Sequence, residues 1–123
     1  MWVKYNDNPT LNITRDCAIR AVGVALDISW GQAFILLASM AYQMGETMDS
    51  DLVWGAVLRQ EGFSKHLAPD CVGCYTIAEF ADEHPQGIYV MKTDGHVVAA
   101  VDGNYYDSFD SGNEPLIYYW SKN

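Results

Sequence analysis

Three side chains in this sequence could together carry out nucleophilic chemistry: Cys17, His96 and Asp107. A thiol becomes a strong nucleophile when an imidazole takes its proton, and a carboxylate that accepts the other ring N–H fixes the tautomer and orientation of that imidazole. The chain supplies these three residue types in the order cysteine, histidine, acid. They can act together only if the fold brings them into contact.

Cys17 stands at the predicted start of a helix. Asp16 is a good N-cap residue, and the apolar run after it suits a buried helix. At the first helical position, free backbone N–H groups and the positive end of the helix dipole favour the thiolate, which is the reactive form. The neighbouring Asp16 carboxylate disfavours that ionisation, so the thiol needs a base. Without one, a small and half-apolar cysteine at this place would serve only for packing.

The second half of the chain reads as a set of strands. Residues 87–93, 96–101 and 104–109 are rich in β-forming residues, and Asp-Gly pairs separate them. Asp-Gly between β-formers is a strong sequence signal for a hairpin. Residues 116–120 add a fourth predicted strand.

The turn at residues 102–103 decides which acid meets His96. With a two-residue turn, His96 and Asp107 are diagonal neighbours on one face of the hairpin. A three-residue loop would instead bring Asp110 to the His96 face. Because Asp-Gly prefers the two-residue turn, we expect Asp107 to be the partner.

The first half of the chain reads as helices. Capping boxes at Ser29 with Gln32 and at Thr76 with Glu79 predict two helix starts, and Ser50 with Asp49 can cap a third. The second helix, from residue 30 to 44, is apolar around most of its circumference and is therefore expected to be buried. We expect residues 1–13 to form an irregular arm and residues 63–84 a connecting segment that includes the short helix after Thr76. The result is a single α+β domain over residues 1–123, with N-terminal helices packed on a C-terminal antiparallel β-meander.

Composition narrows the possible partners. The 123 residues are 50% hydrophobic and 19% charged, and they carry a formal charge of −9. Such a surface repels phosphate backbones and anionic lipids, so we expect no nucleic acid and no membrane as partners. No apolar run is long enough to span a bilayer and the first residues lack a signal-peptide core, so we expect a cytoplasmic protein. Three cysteines without an export signal indicate reduced thiols.

Cys71 and Cys74, with His66 and His84 nearby, are the candidates for a zinc site. A single C-x-x-C with loosely spaced histidines is a weak zinc motif, because structural zinc sites usually have two tight ligand pairs. The pair also lacks the strand and helix that flank thioredoxin-like redox motifs. We therefore expect neither a metal nor another cofactor.

These motifs resemble those of the papain-like cysteine peptidases, in particular the small leader-peptide-processing domains of bacteriocin exporters and phage-encoded peptidase-like proteins. Asp16-Cys17 opens a helix as in those domains, residues 95–99 (Gly-His-Val-Val-Ala) are similar to their histidine-bearing strand, and Asp107 takes the place of their third catalytic residue. The resemblance extends in outline over residues 12–110. It implies a papain-like fold.

The sequence departs from this family next to the cysteine. The exporter peptidases have a glutamine a few residues before the cysteine and a glycine just after it, whereas this chain has Asn12 five residues before Cys17 and Ala18 after it. By this resemblance Asn12 would stabilise an oxyanion together with the Cys17 backbone N–H.

The predicted function is that of a cysteine-dependent hydrolase which cleaves a peptide or isopeptide bond in a protein or peptide substrate through Cys17, His96 and Asp107. Two alternatives stay open. One is a catalytically silent papain-like binding module, such as a phage or bacterial protein that blocks a host partner. The other is an acyltransferase that uses the same triad. The sequence does not identify a specificity pocket.

Overall fold

The computed structural model describes residues 1–68 and 75–122. These residues form four helices and six strands. In chain order they are β1 (Trp2–Lys4), α1 (Cys17–Leu26), α2 (Trp30–Met44), α3 (Asp51–Gln60), β2 (Phe63–Leu67), α4 (Ile77–Glu83), β3 (Ile88–Thr93), β4 (His96–Val101), β5 (Asn104–Asp107) and β6 (Tyr118–Lys122). The predicted α+β class is confirmed.

The strands form one mixed sheet in the order β1-β5-β4-β3-β6-β2. β3, β4 and β5 are the predicted meander, and β6 pairs antiparallel with β3. A purely antiparallel sheet was a wrong expectation, because β1 pairs parallel with β5. β1 fills the outer edge of β5, so the last strand lies beside β3 instead of continuing the meander.

The two outermost strands are the elements that the sequence did not predict. β1 lies in the segment expected to be an irregular arm, and β2 lies in the expected connecting segment. β2 pairs with β6 along its whole length, although three of its five side chains are exposed. Its Lys65 is typical of an edge strand, where a charged side chain discourages pairing with another molecule.

The turn between β4 and β5 has the predicted two-residue length. Val101 pairs with Asn104, and the intervening Asp102 and Gly103 both have positive φ, 51° and 84°. Two positive φ values identify a type I′ turn, whose twist matches that of the flanking strands. The register that depends on this turn is therefore as predicted.

The helices lie on both faces of the sheet. α1, α2 and α3 pack on one face around Val22, Leu37, Trp54 and Val97. α4 packs on the other face, where Ile77 and Phe80 contact Val98, Ala100 and Leu116. The domain thus has two apolar cores separated by the sheet, and α1 is the helix that crosses β4 most closely.

α2 is not the buried helix that its composition predicted. It contains no charged residue, yet its buried side chains are Ala33, Leu37 and Ala41, whereas Ile35 is 65% and Tyr42 88% exposed. α2 packs against α1 and α3 through one narrow stripe, because α1 already covers the sheet. Its outer apolar face therefore has no neighbour within the described ranges.

The starts of α2 and α4 follow the predicted capping. The side chains of Ser29 with Gln32 and of Thr76 with Glu79 form reciprocal capping boxes, and Gly45 ends α2 with a φ of 67°. Across residues 1–68 and 75–122 no single helix has the length and apolar content needed to cross a membrane, and α1 with α2 would pass that test only as a pair bent by 110°.

Substitution of Gly55 tests the packing of α3 against the sheet. A Cβ at Gly55 would lie 3.0 Å from Cζ2 of the buried Trp120, so alanine overfills this contact. We expect Gly55→Ala to lower the free energy of unfolding by about 1 kcal/mol, because the overpacking cost exceeds the gain in helix propensity. Urea denaturation measures this change.

Gly31→Ala in α2 is the matched control, because its Cβ would meet nothing nearer than the Ser29 hydroxyl at 4.0 Å. This variant should be as stable as the parent or slightly more stable. A Gly55→Ala protein that is more stable than Gly31→Ala would contradict the packing described here.

Candidate active site

Cys17, His96 and Asp107 meet at one end of the sheet. Cys17 begins α1, His96 begins β4 and Asp107 ends β5, so each lies at the end of an element. The thiol and the imidazole line a cleft of about 370 Å³, together with Thr14, Arg15, Ala18, Val97, Ser108 and Phe109 among others. The three residues predicted to act together are therefore neighbours.

His96 is held by Asp107. Its Nε2 lies 2.6 Å from Asp107 Oδ2, and its ring packs against Phe109 with centroids 4.9 Å apart. Because Nε2 is bound to the carboxylate, Nδ1 is the nitrogen left to face the thiol. The acid thus fixes the tautomer and the direction of the imidazole.

Cys17 and His96 form the reactive pair. Burial by itself would raise the pKa of the Cys17 thiol, but the hydrogen bond and charge of His96, the backbone N–H of Val97 and the charge of Arg20 outweigh it and lower that pKa. Burial likewise would lower the pKa of His96, yet Asp107 and Cys17 raise it to about 9. The contact therefore favours transfer of the thiol proton to the imidazole, as nucleophilic thiol chemistry requires.

Asp107 is fully buried and has four polar partners. Besides His96 it accepts hydrogen bonds from the Ser111 hydroxyl at 2.6 Å, the Ser108 backbone N–H at 2.8 Å and the Arg20 guanidinium at 3.1 Å. Burial would raise the pKa of Asp107, but these hydrogen bonds and positive charges lower it. The carboxylate therefore stays ionised throughout the neutral range.

The alternative acid, Asp110, lies in a different environment. Its Oδ1 accepts hydrogen bonds from the Tyr105 hydroxyl at 2.6 Å and from the Gly112 backbone N–H at 3.0 Å. The structure thus places Asp107, and not Asp110, against His96, in agreement with the two-residue turn.

Arg20 is the residue of this site that the sequence interpretation missed. It is 5% exposed and bridges two carboxylates, with Nη1 2.8 Å from Asp16 Oδ1 and Nη2 3.1 Å from Asp107 Oδ1. The sequence does contain a signal for this role, because Arg20 lies inside an otherwise apolar helix and follows an aspartate by four residues. Ser111 was missed as well, because its contact depends on the path of the loop after β5.

Asp16 does not act through the N-cap hydrogen bond that was expected. Its side chain makes no capping bond; Oδ1 binds Arg20 and Oδ2 accepts a hydrogen bond from Trp30 Nε1 at 3.0 Å. The guanidinium offsets the negative charge that would otherwise oppose ionisation of Cys17. Asp16 therefore joins α1 to α2 and supports Arg20.

Asn12, the predicted oxyanion residue, is exposed on the segment before α1. Its carbonyl oxygen accepts a hydrogen bond from the Asn6 side chain at 3.5 Å, and among the described residues it is not part of the cleft wall. The backbone N–H of Cys17 lies in the first turn of α1, where N–H groups have no acceptor within the helix. The role of Asn12 stays a prediction.

The two histidines considered as zinc ligands have other partners. His66 Nε2 lies 3.0 Å from the Ser121 hydroxyl, and His84 Nδ1 lies 2.7 Å from the Phe80 carbonyl oxygen. Cys71 and Cys74 fall outside the described residues. Within residues 1–68 and 75–122, no group of three or more His, Cys, Asp or Glu side chains is arranged to hold a metal ion.

Comparison of the chain with protein-family models, with curated proteins and with solved structures gives no match.

The pH dependence of alkylation tests the Cys17–His96 pair. Iodoacetamide reacts with the thiolate, so the lowered pKa of Cys17 should place the midpoint of its alkylation rate below the ordinary thiol value of 9.0. In His96→Ala the thiol loses the hydrogen bond and the charge that lower its pKa most, so the midpoint should move to higher pH. Mass spectrometry of quenched digests gives the rate for each cysteine.

Cys71 and Cys74 serve as comparators in the same digests. If all three cysteines had the same pH profile, and His96→Ala left that of Cys17 unchanged, the reactive pair described here would be wrong.

Replacing Arg20 tests the buried charge network. Arg20→Met leaves Asp16 and Asp107 without their shared cation, and breaking a buried ion pair on one side costs about 3–5 kcal/mol. We expect a loss of that size in urea denaturation. Arg15→Met, at an exposed position five residues earlier, should change stability by no more than about 0.5 kcal/mol. Equal stability of the two variants would refute the assigned role of Arg20.

Proposed function

We propose that this chain is a papain-like, cysteine-dependent hydrolase that cleaves a peptide or isopeptide bond with Cys17 as nucleophile, His96 as base and acid, and Asp107 as the residue that orients His96. The observation that carries the proposal is the continuous chain of contacts from the Cys17 thiol through His96 to the buried Asp107, with the thiol on the wall of an open cleft. A cysteine that served only for packing would need neither a histidine as base nor a carboxylate that orients this histidine.

The papain-like assignment is supported by the secondary-structure elements that carry these three residues. The cysteine begins a helix, the histidine begins a strand that the same helix crosses, and the acid ends the next strand. A helix start supplies unpaired N–H groups, while a rigid hairpin fixes the distance between histidine and acid.

The proposed reaction proceeds in two steps. The Cys17 thiolate attacks the carbonyl carbon, the C–N bond breaks, and His96 gives its proton to the leaving amine. Water then attacks the thioester carbon while His96 takes a proton from the water, and the C–S bond breaks, which releases the carboxylic acid and restores the Cys17 thiolate beside protonated His96. The Cys17 backbone N–H, with Asn12 as the predicted second donor, would stabilise the oxyanion in both steps.

A catalytically silent binding module is the second candidate. It is favoured by the exposed position of Asn12, which leaves the oxyanion site with one backbone donor, and by the exposed apolar face of α2. An acyltransferase would use the same three residues and differ only in the acceptor that attacks the thioester.

Reaction with p-nitrophenyl acetate separates these candidates. A hydrolase should release p-nitrophenol with turnover and pass through an acetyl-Cys17 intermediate that mass spectrometry detects after acid quenching. A binding module should give no acetyl-Cys17, and an acyltransferase should turn over faster when an amine acceptor is added. Cys17→Ala is the control and should abolish both intermediate and turnover. With an amide substrate the rate should fall as the pH rises through about 9, because His96 loses the proton that it must donate.

Replacing the acid tests its role. Asp107→Asn keeps the size of the side chain and an oxygen that can accept the ring N–H, but it removes the negative charge that stabilises the imidazolium, so we expect turnover to fall on the order of tenfold. Asp110→Asn is the matched control and should retain turnover, because Asp110 binds Tyr105 and Gly112 instead of His96.

A thermal melt of both variants distinguishes lost orientation from lost folding. If Asp110→Asn were the slower enzyme while both proteins stayed folded, the assignment of Asp107 would be wrong.

A further inference from the structure

A second, apolar groove adjoins the candidate active site. It encloses about 270 Å³ and lies between the start of α1, the start of α2 and the segment before α3. Its walls include Ile19, Trp30, Phe34 and Met48. It shares Thr14, Arg15, Ala18 and Asp49 with the cleft that holds Cys17.

We propose that this groove is the specificity pocket of the enzyme and receives one aromatic or large aliphatic side chain of a peptide substrate, close to the scissile bond. The inference rests on the proposed function and adds to it the class of substrate. Its first support is continuity: because the groove and the cleft share part of their walls, an extended peptide whose carbonyl reaches Cys17 can place a neighbouring side chain in the groove.

The size of the groove fits one side chain. Pockets for free small molecules usually enclose about 300–1,000 Å³, so this groove lies just below their range. It is too small for a nucleotide-like cofactor and open toward the site where a substrate would lie. An apolar pocket discriminates between substrate side chains by about 1–3 kcal/mol for each methylene group that it accommodates.

The chemistry of the walls selects an apolar group. Trp30 and Phe34 stack with ring centroids 5.3 Å apart, and Phe34 is 40% exposed although it lies beside other apolar residues. Three charged residues also line the groove: Asp16 is already bound by Arg20 and Trp30, and the exposed Arg15 and Asp49 have opposite charges. A charged substrate side chain would lose hydration against the apolar walls, whereas a Phe or Leu side chain would cover apolar surface.

The groove is also rigid enough to discriminate. Trp30 cannot turn away without breaking its 3.0 Å hydrogen bond to Asp16, and Asp16 is fixed by Arg20 from inside α1. A preformed aromatic wall of this kind loses little conformational entropy on binding.

Peptidyl chloromethyl ketones test the proposal. Each tripeptide of the series carries Phe, Leu or Glu at one position and Gly at the other two positions. Mass spectrometry gives the rate at which each tripeptide modifies Cys17. At one position, tripeptides with Phe or Leu should modify Cys17 about tenfold faster than the tripeptide with Gly, whereas the tripeptide with Glu should show no such gain. Phe34→Ala should remove most of that advantage. Ile35→Ala is the matched control, since Ile35 is 65% exposed on the same helix and does not line the groove.

The proposed pocket would be wrong if all tripeptides reacted at equal rates. It would also be wrong if Phe34→Ala and Ile35→Ala lost the preference for Phe and Leu to the same extent. Iodoacetamide alkylation of the parent protein is measured in parallel and reports on the thiol alone. A Cys17 with ordinary reactivity toward iodoacetamide would reject the proposed hydrolase. Even then, the ratio of the Phe and Gly tripeptide rates would test whether the groove binds an apolar side chain. A bound chloromethyl ketone also alkylates an unactivated thiol that lies next to it.

Discussion

The buried carboxylate of Asp107 is the group on which both fold and site depend. A charge without solvent contact is tolerated only when hydrogen bonds and opposite charges replace its hydration. Its oxygens bind Arg20 from α1, His96 from β4 and two donors from the loop after β5, Ser108 and Ser111. The packing of the helix on the sheet, the end of the hairpin and the course of that loop therefore all converge on one side chain.

The charges along this network alternate in sign. Asp16 and Asp107 are negative, Arg20 lies between them, and protonated His96 lies between Asp107 and the thiolate of Cys17. The first four of these charges cancel, so ionisation of Cys17 leaves a single negative charge, on the sulfur that faces the cleft. Arg20 adds a smaller favourable charge to the larger effect of His96 on the Cys17 thiol, at a helix start that also holds Asp16.

The parts of this arrangement that could be predicted from the sequence are those set by local rules. Alternating strands and an Asp-Gly turn fixed the register between His96 and Asp107, and capping residues marked the helix starts, because each depends on neighbours in the chain. Arg20 escaped prediction since its partner Asp107 lies 87 residues away. β1 and β2 escaped for the same reason: a short edge strand forms because a distant strand offers it a free edge. The exposure of α2 depends on α1 having already covered the sheet.

Asp16 explains why the apolar groove and the triad lie side by side. One of its oxygens holds Trp30 at the start of α2, and the other holds Arg20, which in turn holds Asp107. The wall of the groove and the orientation of His96 thus belong to one hydrogen-bonded network. α2 needs only its stripe of Ala33, Leu37 and Ala41 to stay attached to the domain, and this leaves Phe34 uncovered beside the cleft. We infer that the apolar surface of α2 which lies outside the core is the surface that a bound substrate covers.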